Sequence, residues 1–384
     1  MATRTAAPSR IPTPVVARVS LAAWRHNFAL LKAAAPQSRF LAVIKANAYG
    51  HGAIEAARAL TGADAFGVAR LGEGVELRVA GVTRPIVLME GVFSSEELAL
   101  ALRYELDLVV HDETQVVMLE KSFKVTDPGV NAPRVVWLKL DTGMSRLGFA
   151  LDRARNVAER LRILPMVGEL RVMTHFACAD EPESAMTCEQ LELFDSAVKE
   201  TTSFSNSGNF LASCHASLAN SAAILQFPST HRDWVRAGIA LYGSSPIVGR
   251  SAESLGLKPV MTLSSRVIAL RELPLGQSVG YGASWRTSRR SRIATVAGGY
   301  ADGLSRHLRT GAPVLVGGRL APLVGRVSMD MITVDVTDLD DVHVGSEVVL
   351  WGEGLPIDEV AAAAGTIAYQ LLCAVTHRVA FQYL

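Results

Sequence analysis

The sequence is poor in the features that place a chain most quickly. Cysteine occurs only 4 times in 384 residues, as Cys178, Cys188, Cys214 and Cys373. None of the spacings makes a C-x-x-C pair or a zinc site, so a disulfide framework and a zinc module are excluded and reduced thiols are expected. Charge of neither sign is in excess, with Lys+Arg 38 against Asp+Glu 37, so nothing argues for a nucleic-acid or anionic-membrane partner. No uncharged apolar run approaches membrane-spanning length. The opening stretch MATRTAAPSRIPTP is polar and Pro-rich with no apolar centre, unlike a signal peptide. A cytoplasmic protein is expected. No internal repeat of fixed period is present, and no G-x-G-x-x-G follows any strand-like run, which removes the main signature of an open dinucleotide-binding sheet.

Hydrophobic residues make up 49% of the chain and charged residues 20%, enough apolar material for large cores, and the length suggests two domains. From about residue 40 to 245, apolar or β-branched runs alternate with Ala/Leu/Glu/Arg-rich helical segments. The runs are FLAVIK (40–45), AFGVA (65–69), IVLME (86–90), LDLVVH (106–111), RVVWLKL (134–140), LRVMTH (170–175), ASCHAS (212–217) and WVRAGIAL (234–241). Ser94 with Glu97, and Asp112 with Gln115, stand at capping-box spacing and mark helix starts. Eight such units predict a (β/α)₈ TIM barrel, an α/β fold.

After about residue 255 the texture changes. SSRVIAL, GQSVGYG, RIATVAGG, APVLVGG, RVSMDMITVDV and GSEVVLWG are short strands with Gly-rich turns, predicting a mainly antiparallel C-terminal β domain closed by one helix at roughly 357–373. VVARVSL (15–21) is strand-like and is expected to pair with that domain. The domain expectation is therefore a loosely ordered N-terminus over 1–14, a barrel over 15–250 and a β-rich domain over 251–384.

Polar residues at the C-terminal ends of barrel strands are active-site candidates. Lys45 ends the first run, Lys139 the fifth and His175 the sixth, and Arg236 lies in the eighth. Any one lysine is better read as snorkelling to solvent. Four basic groups at one barrel mouth instead suit an anionic ligand, and a partly desolvated lysine beside other cations is available for Schiff-base chemistry.

AVIKANAYGHG (42–52) closely resembles the cofactor-lysine motif of alanine racemases, which are pyridoxal-phosphate (PLP) enzymes with a barrel plus a β domain. The resemblance continues in order through KLDTGMSRLGF (139–149), THFACADEP (174–182), ANSAAIL (219–225), VRAGIALYG (235–243), VGYGASW (279–285), GYADGLSR (299–306), VGRVSMDMITVD (324–335) and GTIAYQLL (365–372). It implies that Lys45 forms the internal aldimine with PLP and serves as base on one face of the substrate Cα. Tyr281, supplied by the second subunit of a homodimer, would serve the other face. A tyrosine near its free pKa of about 10 is a poor base, so its surroundings must lower that value.

By the same resemblance Arg236 hydrogen-bonds the pyridine nitrogen. Arginine only donates, so it holds that nitrogen unprotonated and favours quick reprotonation at Cα over transamination. Without the family, an ion pair between Arg236 and Asp233 is the alternative. Ser221, Gly238, Ile239, Tyr49 and Tyr369 are implied to hold the phosphate, and His175 to pack near the ring and bond Arg236. Arg146 and the Met329 N–H, the latter from the second subunit, are implied to bind the substrate carboxylate. Lys139 matches a lysine that relatives often carry as a carbamate, and Tyr300, Arg306 and Asp330 line the approach to the site. No metal is expected. Ala237 replaces the usual proline of V-R-P-G, Ser305 stands where proline is common, and the chain ends HRVAFQYL; none of these removes a reacting group.

The expected function is interconversion of L- and D-alanine for cell-wall peptidoglycan. A broader racemase accepting serine or larger amino acids is the alternative, with the absence of an export signal arguing mildly against it. A non-catalytic PLP carrier is a lone barrel, and the β domain with its Tyr281 motif speaks against it. A PLP decarboxylase would place an acidic group, not Arg236, on the ring nitrogen.

Overall fold

The computed structural model describes residues 13–122, 134–200 and 211–384; most of the 1–14 segment lies outside the described residues. Ala22–Lys258 forms one compact unit, and the chain up to Leu21 forms the other together with Pro259–Leu384. Among the described residues, no helix is long and apolar enough to cross a membrane.

Strand β1 (Val16–Val19) belongs to the second unit. The first unit is a closed parallel barrel, β2 (Arg39–Val43), β3 (Ala65–Val68), β4 (Ile86–Leu88), β5 (Asp107–Val110), β6 (Arg134–Lys139), β7 (Val167–Met173), β8 (Ala216–Ser217) and β9 (Trp234–Ala237). It closes where β2 pairs with β9, with Leu41 opposite Arg236. Phe40, Phe66 and Trp137 are fully buried, and side chains of this size each stabilise the core by about 1.5–3 kcal/mol. Most strands are shorter than the apolar runs. WVRAGIAL was expected to run to residue 241, but β9 stops at Ala237 because Gly238 (φ −119°, ψ −105°) turns the chain into the 3₁₀ segment Ile239–Tyr242.

The two capping signals start helices Ser95–Arg103 and Glu113–Ser122. The Ser94 hydroxyl accepts from the Glu97 N–H at 3.2 Å, while the Glu97 carboxylate reaches past the cap to the Phe93 N–H at 2.7 Å. Gln115 does likewise, accepting from the His111 N–H at 2.8 Å. Both starts thus use a variant of the reciprocal box, shifted by one residue on the carboxylate or amide side.

The second unit is a mainly antiparallel sheet built from β10 (Met261–Leu273), β11 (Ser278–Val279), β12 (Trp285–Arg286), β13 (Ser291–Ala297), β14 (Pro313–Val316), β15 (Arg319–Pro322), β16 (Met331–Asp335), β17 (Glu347–Trp351) and β18 (Ala380–Tyr383). Its main path runs β15-β14-β17-β10-β1-β18, with β13 and β16 continuing from β10 and β11–β12 as a separate pair. The early strand β1 joins this sheet, antiparallel to β10 and parallel to β18. The single closing helix is instead two, Ile357–Ala363 and Ala368–Cys373. They are parted at Gly365, whose φ of +64° is left-handed and stops a helix as glycines after a last turn commonly do.

Candidate active site

The chain leaves β2 through Ile44 and enters an unusual turn. Ala46, Asn47, Ala48 and Tyr49 all have φ between 50° and 53°, and the first three have ψ near +50°. This is one turn of left-handed helix, in residues that all carry a Cβ. At roughly 1–2 kcal/mol per residue its four members cost about 4–8 kcal/mol before any contact is counted, so the surroundings must hold it. Glu73, in the first turn of helix Leu71–Val79, takes the Ala46 N–H at 2.5 Å and also the N–H groups of Ala69 and Arg70. Asn47 Oδ1 accepts from the Ala53 N–H at 2.8 Å. The turn places Lys45 at its start, half-buried at the strand end, and Tyr49 buried at its finish.

Tyr49 stacks on Tyr242 with centroids 4.5 Å apart, and Tyr242 donates to the Val43 carbonyl at 2.8 Å. A methyl group on Gly238 would stand 2.8 Å from the Tyr49 hydroxyl and 4.0 Å from Ser221 Oγ. Ser221 opens helix Ser221–Gln226 behind the cap Asn220. Its hydroxyl accepts from the N–H groups of Gly238, at 2.8 Å, and Ala240, at 3.4 Å. Two hydroxyls and the N–H groups of a segment without obstructing side chains therefore converge beyond β9, the place where barrels commonly bind phosphate.

Arg236 is buried in β9. Nη1 donates to the Ser217 carbonyl (2.8 Å) and hydroxyl (2.7 Å), and Nη2 to the carbonyls of Thr174 (2.7 Å) and Leu218 (3.1 Å). Asp233 instead accepts from the Ala216 N–H, so Arg236 forms no ion pair with it. Nη2 also lies 3.3 Å from Nδ1 of His175. Arginine only donates, so His175 Nδ1 accepts and its hydrogen sits on Nε2. Burial, then the cations Arg236, Lys139, Arg146 and Lys45, push the His175 pKa well below its ordinary value; the ring is neutral. Burial also lowers Arg236 to about 10, which leaves it charged at neutral pH.

Lys139 ends β6 and is buried. Burial first, then Arg236, Arg146 and Lys45, bring its amine down to about 8. The loop beyond folds back on the strand end: the Phe149 N–H donates to the Lys139 carbonyl, and Asp141 accepts from the N–H groups of Gly143 and Ser145. Arg146 stands exposed on this loop. The barrel mouth thus gathers Lys45, Tyr49, Lys139, Arg146, His175, Ser221, Arg236, Gly238 and Ile239. Four of these nine are cations, and the electrostatics favour an anionic ligand.

The other six candidates lie on the second unit. Tyr281 is 70% exposed on the turn between β11 and β12, where Gly280, Gly282 and Ala283 have positive φ. Met329 and Asp330 precede β16 and are exposed, as is Arg306. Tyr369 is partly exposed on helix Ala368–Cys373. The segments carrying Tyr300 and Met329 are laced together by Tyr300 N–H to Ser328 and Ala301 N–H to Met329. Gly299 has to be glycine, since a Cβ would lie 2.2 Å from the Ser328 carbonyl.

Sequence reasoning missed Arg378, which bridges Asp302 at 3.0 Å and Asp330 at 2.9 Å and so pins both segments to the C-terminal stretch. Its only signal was its place in HRVAFQYL. Glu73 and Tyr242 were missed as well, because neither sits in a position whose residue type hints at a role.

A match to the family model for the alanine racemase N-terminal domain covers residues 19–246, and one for the alanine racemase C-terminal domain covers 260–383. The biosynthetic alanine racemase of Pseudomonas aeruginosa is 50% identical over 371 residues, 96% of this chain and 99% of that protein. The crystal structure of the biosynthetic alanine racemase from the same organism superposes with a TM-score of 0.89, covering 97% of this chain and all of that one at 48% identity. The crystal structure of an alanine racemase from Bartonella henselae with covalently bound pyridoxal phosphate gives 0.85 at 28% identity, over 97% of this chain and 100% of that one. Fold and site together define a PLP-dependent amino-acid racemase built as a parallel barrel with a separate sheet domain. The chain belongs to the alanine racemase family.

Proposed function

We propose that the protein interconverts L- and D-alanine by proton transfer on two opposite faces of the substrate Cα, with PLP as cofactor. The observation that carries this reading is Arg236: a buried, charged, donor-only group at the barrel mouth, with neutral His175 beside it and, among the described residues, no carboxylate bonded to it. PLP supplies an aldehyde that condenses with amines and a ring that draws electrons from the carbon alpha to the nitrogen. Lys45 holds the cofactor and exchanges a proton on one face of Cα; Tyr281 of the partner subunit does so on the other. Each turnover removes one proton and returns one, leaving composition unchanged. Arg236, which only donates, would hold the pyridine nitrogen unprotonated, making the ring a weaker electron sink and favouring return of the proton to Cα.

The cradle of Tyr49, Ser221, Gly238 and Ile239, joined by Tyr369, takes the phosphate. Arg146 and the Met329 N–H of the partner subunit take the substrate carboxylate, and Lys139, as a carbamate, orients Arg146. Tyr300, Arg306 and Asp330 shape the approach. The exposure of Tyr281 and Met329 supports a homodimer that shares its sites. The free cysteines support a reducing, cytoplasmic setting, and the likeness to a biosynthetic alanine racemase supports a role in providing D-alanine for peptidoglycan.

The test is chiral product analysis with L-alanine, L-serine and L-arginine side by side. D-alanine should form fastest; its absence would end the proposal, and an equal rate with serine or arginine would move it to a broad racemase. Mixing Lys45→Ala with Tyr281→Phe subunits should restore activity in hybrids, and no recovery in verified hybrids contradicts the shared site. Growth rescue of a D-alanine-requiring bacterium tests the physiological role.

A further inference from the structure

His51 closes the left-handed turn but belongs to none of the roles above. It is fully buried. Its Nδ1 lies 3.1 Å from the Ala48 carbonyl and 2.9 Å from the Tyr49 carbonyl. Both oxygens only accept, so Nδ1 carries the hydrogen and donates to two of the four left-handed residues. Among the described residues Nε2 is buried with no hydrogen-bond partner, and the imidazole centroid lies 5.6 Å from that of Trp24 and 4.8 Å from that of Tyr242. Burial lowers its pKa to about 4, so the ring stays neutral at neutral pH. Tyr242 in turn stacks on Tyr49. His51 therefore grips Tyr49 twice, through its carbonyl and through the intervening ring.

We propose that His51 is a positioning residue: a fixed neutral donor that holds the left-handed turn so that the Tyr49 hydroxyl meets the cofactor phosphate beside Gly238 and Ser221. This rests on the reading of Tyr49 as a phosphate ligand. Glu73 grips the turn from the Lys45 side and His51 from the Tyr49 side, so loss of His51 is felt first in cofactor retention.

The experiment is titration of apo-protein with PLP, followed by visible absorption, for wild type, His51→Asn, His51→Gln, Tyr49→Phe and the double variant His51→Gln with Tyr49→Phe, each confirmed folded by its thermal melt. Asparagine carries its N–H₂ where histidine carries Nδ1, whereas glutamine carries it where histidine carries Nε2. His51→Asn should hold PLP within a few-fold of wild type, and His51→Gln should weaken it by about tenfold or more, as expected for lost hydrogen bonds. In the Tyr49→Phe background His51→Gln should add little, because its effect runs through the missing hydroxyl. Equal affinity of the Asn and Gln variants, or full additivity with Tyr49→Phe, overturns the proposal. Unchanged PLP affinity in Tyr49→Phe itself overturns the phosphate reading instead, which keeps the two failures apart.

Discussion

Nη2 of Arg236 donates to the Thr174 carbonyl at 2.7 Å and points at Nδ1 of His175, 3.3 Å away. One planar fork thus ties the ends of three neighbouring barrel strands, since Nη1 reaches Ser217 on β8. Lysine cannot reproduce a fork.

Arg236→Lys should therefore lose about 2 kcal/mol of stability, the cost of leaving two or so buried acceptors without donors. It should also lose racemase activity by more than about tenfold, a barrier change of only ~1.4 kcal/mol. Urea unfolding and steady-state kinetics check both, and an unchanged unfolding midpoint contradicts the first.

Gly238 is the floor of the proposed phosphate cradle. In Gly238→Ala the methyl group would stand 2.8 Å from the Tyr49 hydroxyl, and Tyr49 is backed by Tyr242. PLP affinity should fall by about tenfold, the loss of roughly one good phosphate contact, with the far-ultraviolet circular dichroism unchanged. Titration of apo-protein with PLP measures it.

Lys139 loses its proton near pH 8 rather than at the usual 10.5. Only the unprotonated amine adds carbon dioxide, so carbamate formation should strengthen as pH rises through about 8 and should be well advanced where an ordinary lysine is still charged. Labelled bicarbonate followed by carbon-13 resonance reports it directly. KM for alanine should rise in carbon-dioxide-free buffer and fall on adding bicarbonate, and Lys139→Ala should not respond.

Asp107, at the start of β5, is buried and accepts from the Val135 N–H at 3.2 Å. Burial raises its carboxyl from 3.8 to about 6, against the pull of that bond and of Arg171, Arg134 and Arg78. A raised acid is a cost of the folded state above its folded pKa, and the cost fades as pH falls from about 6 to 3.8. The shift corresponds to about 2–3 kcal/mol. Asp107→Asn keeps the acceptor and loses the charge, so it should be more stable than wild type at neutral pH, with the difference shrinking between about pH 6 and 4. Urea midpoints across that range test the sign.

Much of this was legible in the residues. Strand–helix alternation is local, written in which side chains are apolar and how they are spaced, so the barrel, the sheet domain and the place of VVARVSL beside it followed from pattern. The strand ends followed less well, because where a parallel strand stops depends on its neighbours: β9 stops at Gly238, and the closing helix breaks at Gly365. The site's residue types were legible through the family resemblance. Their partners were not, apart from the pairing of His175 with Arg236 that the resemblance implied.

The sequence by itself determined that a lysine ends the first barrel strand, that basic groups recur at the ends of later strands and that Arg236 sits in the last. Residue identity and hydrophobic periodicity suffice for that. Only the tertiary structure decided the hand of the turn from Ala46 to Tyr49. Alanine and tyrosine locally favour the right-handed form, and Glu73, Asn47 and His51 reverse that choice by bonding groups that local propensity does not count. It also decided that Arg236 bonds the carbonyls of Thr174, Ser217 and Leu218 rather than Asp233, and that Arg378 joins Asp302 to Asp330. Asn47 and His51 act within six residues of their partners, but the Glu73, Arg236 and Arg378 contacts need residues far apart in the chain brought into hydrogen-bond range, where such a bond has its strength.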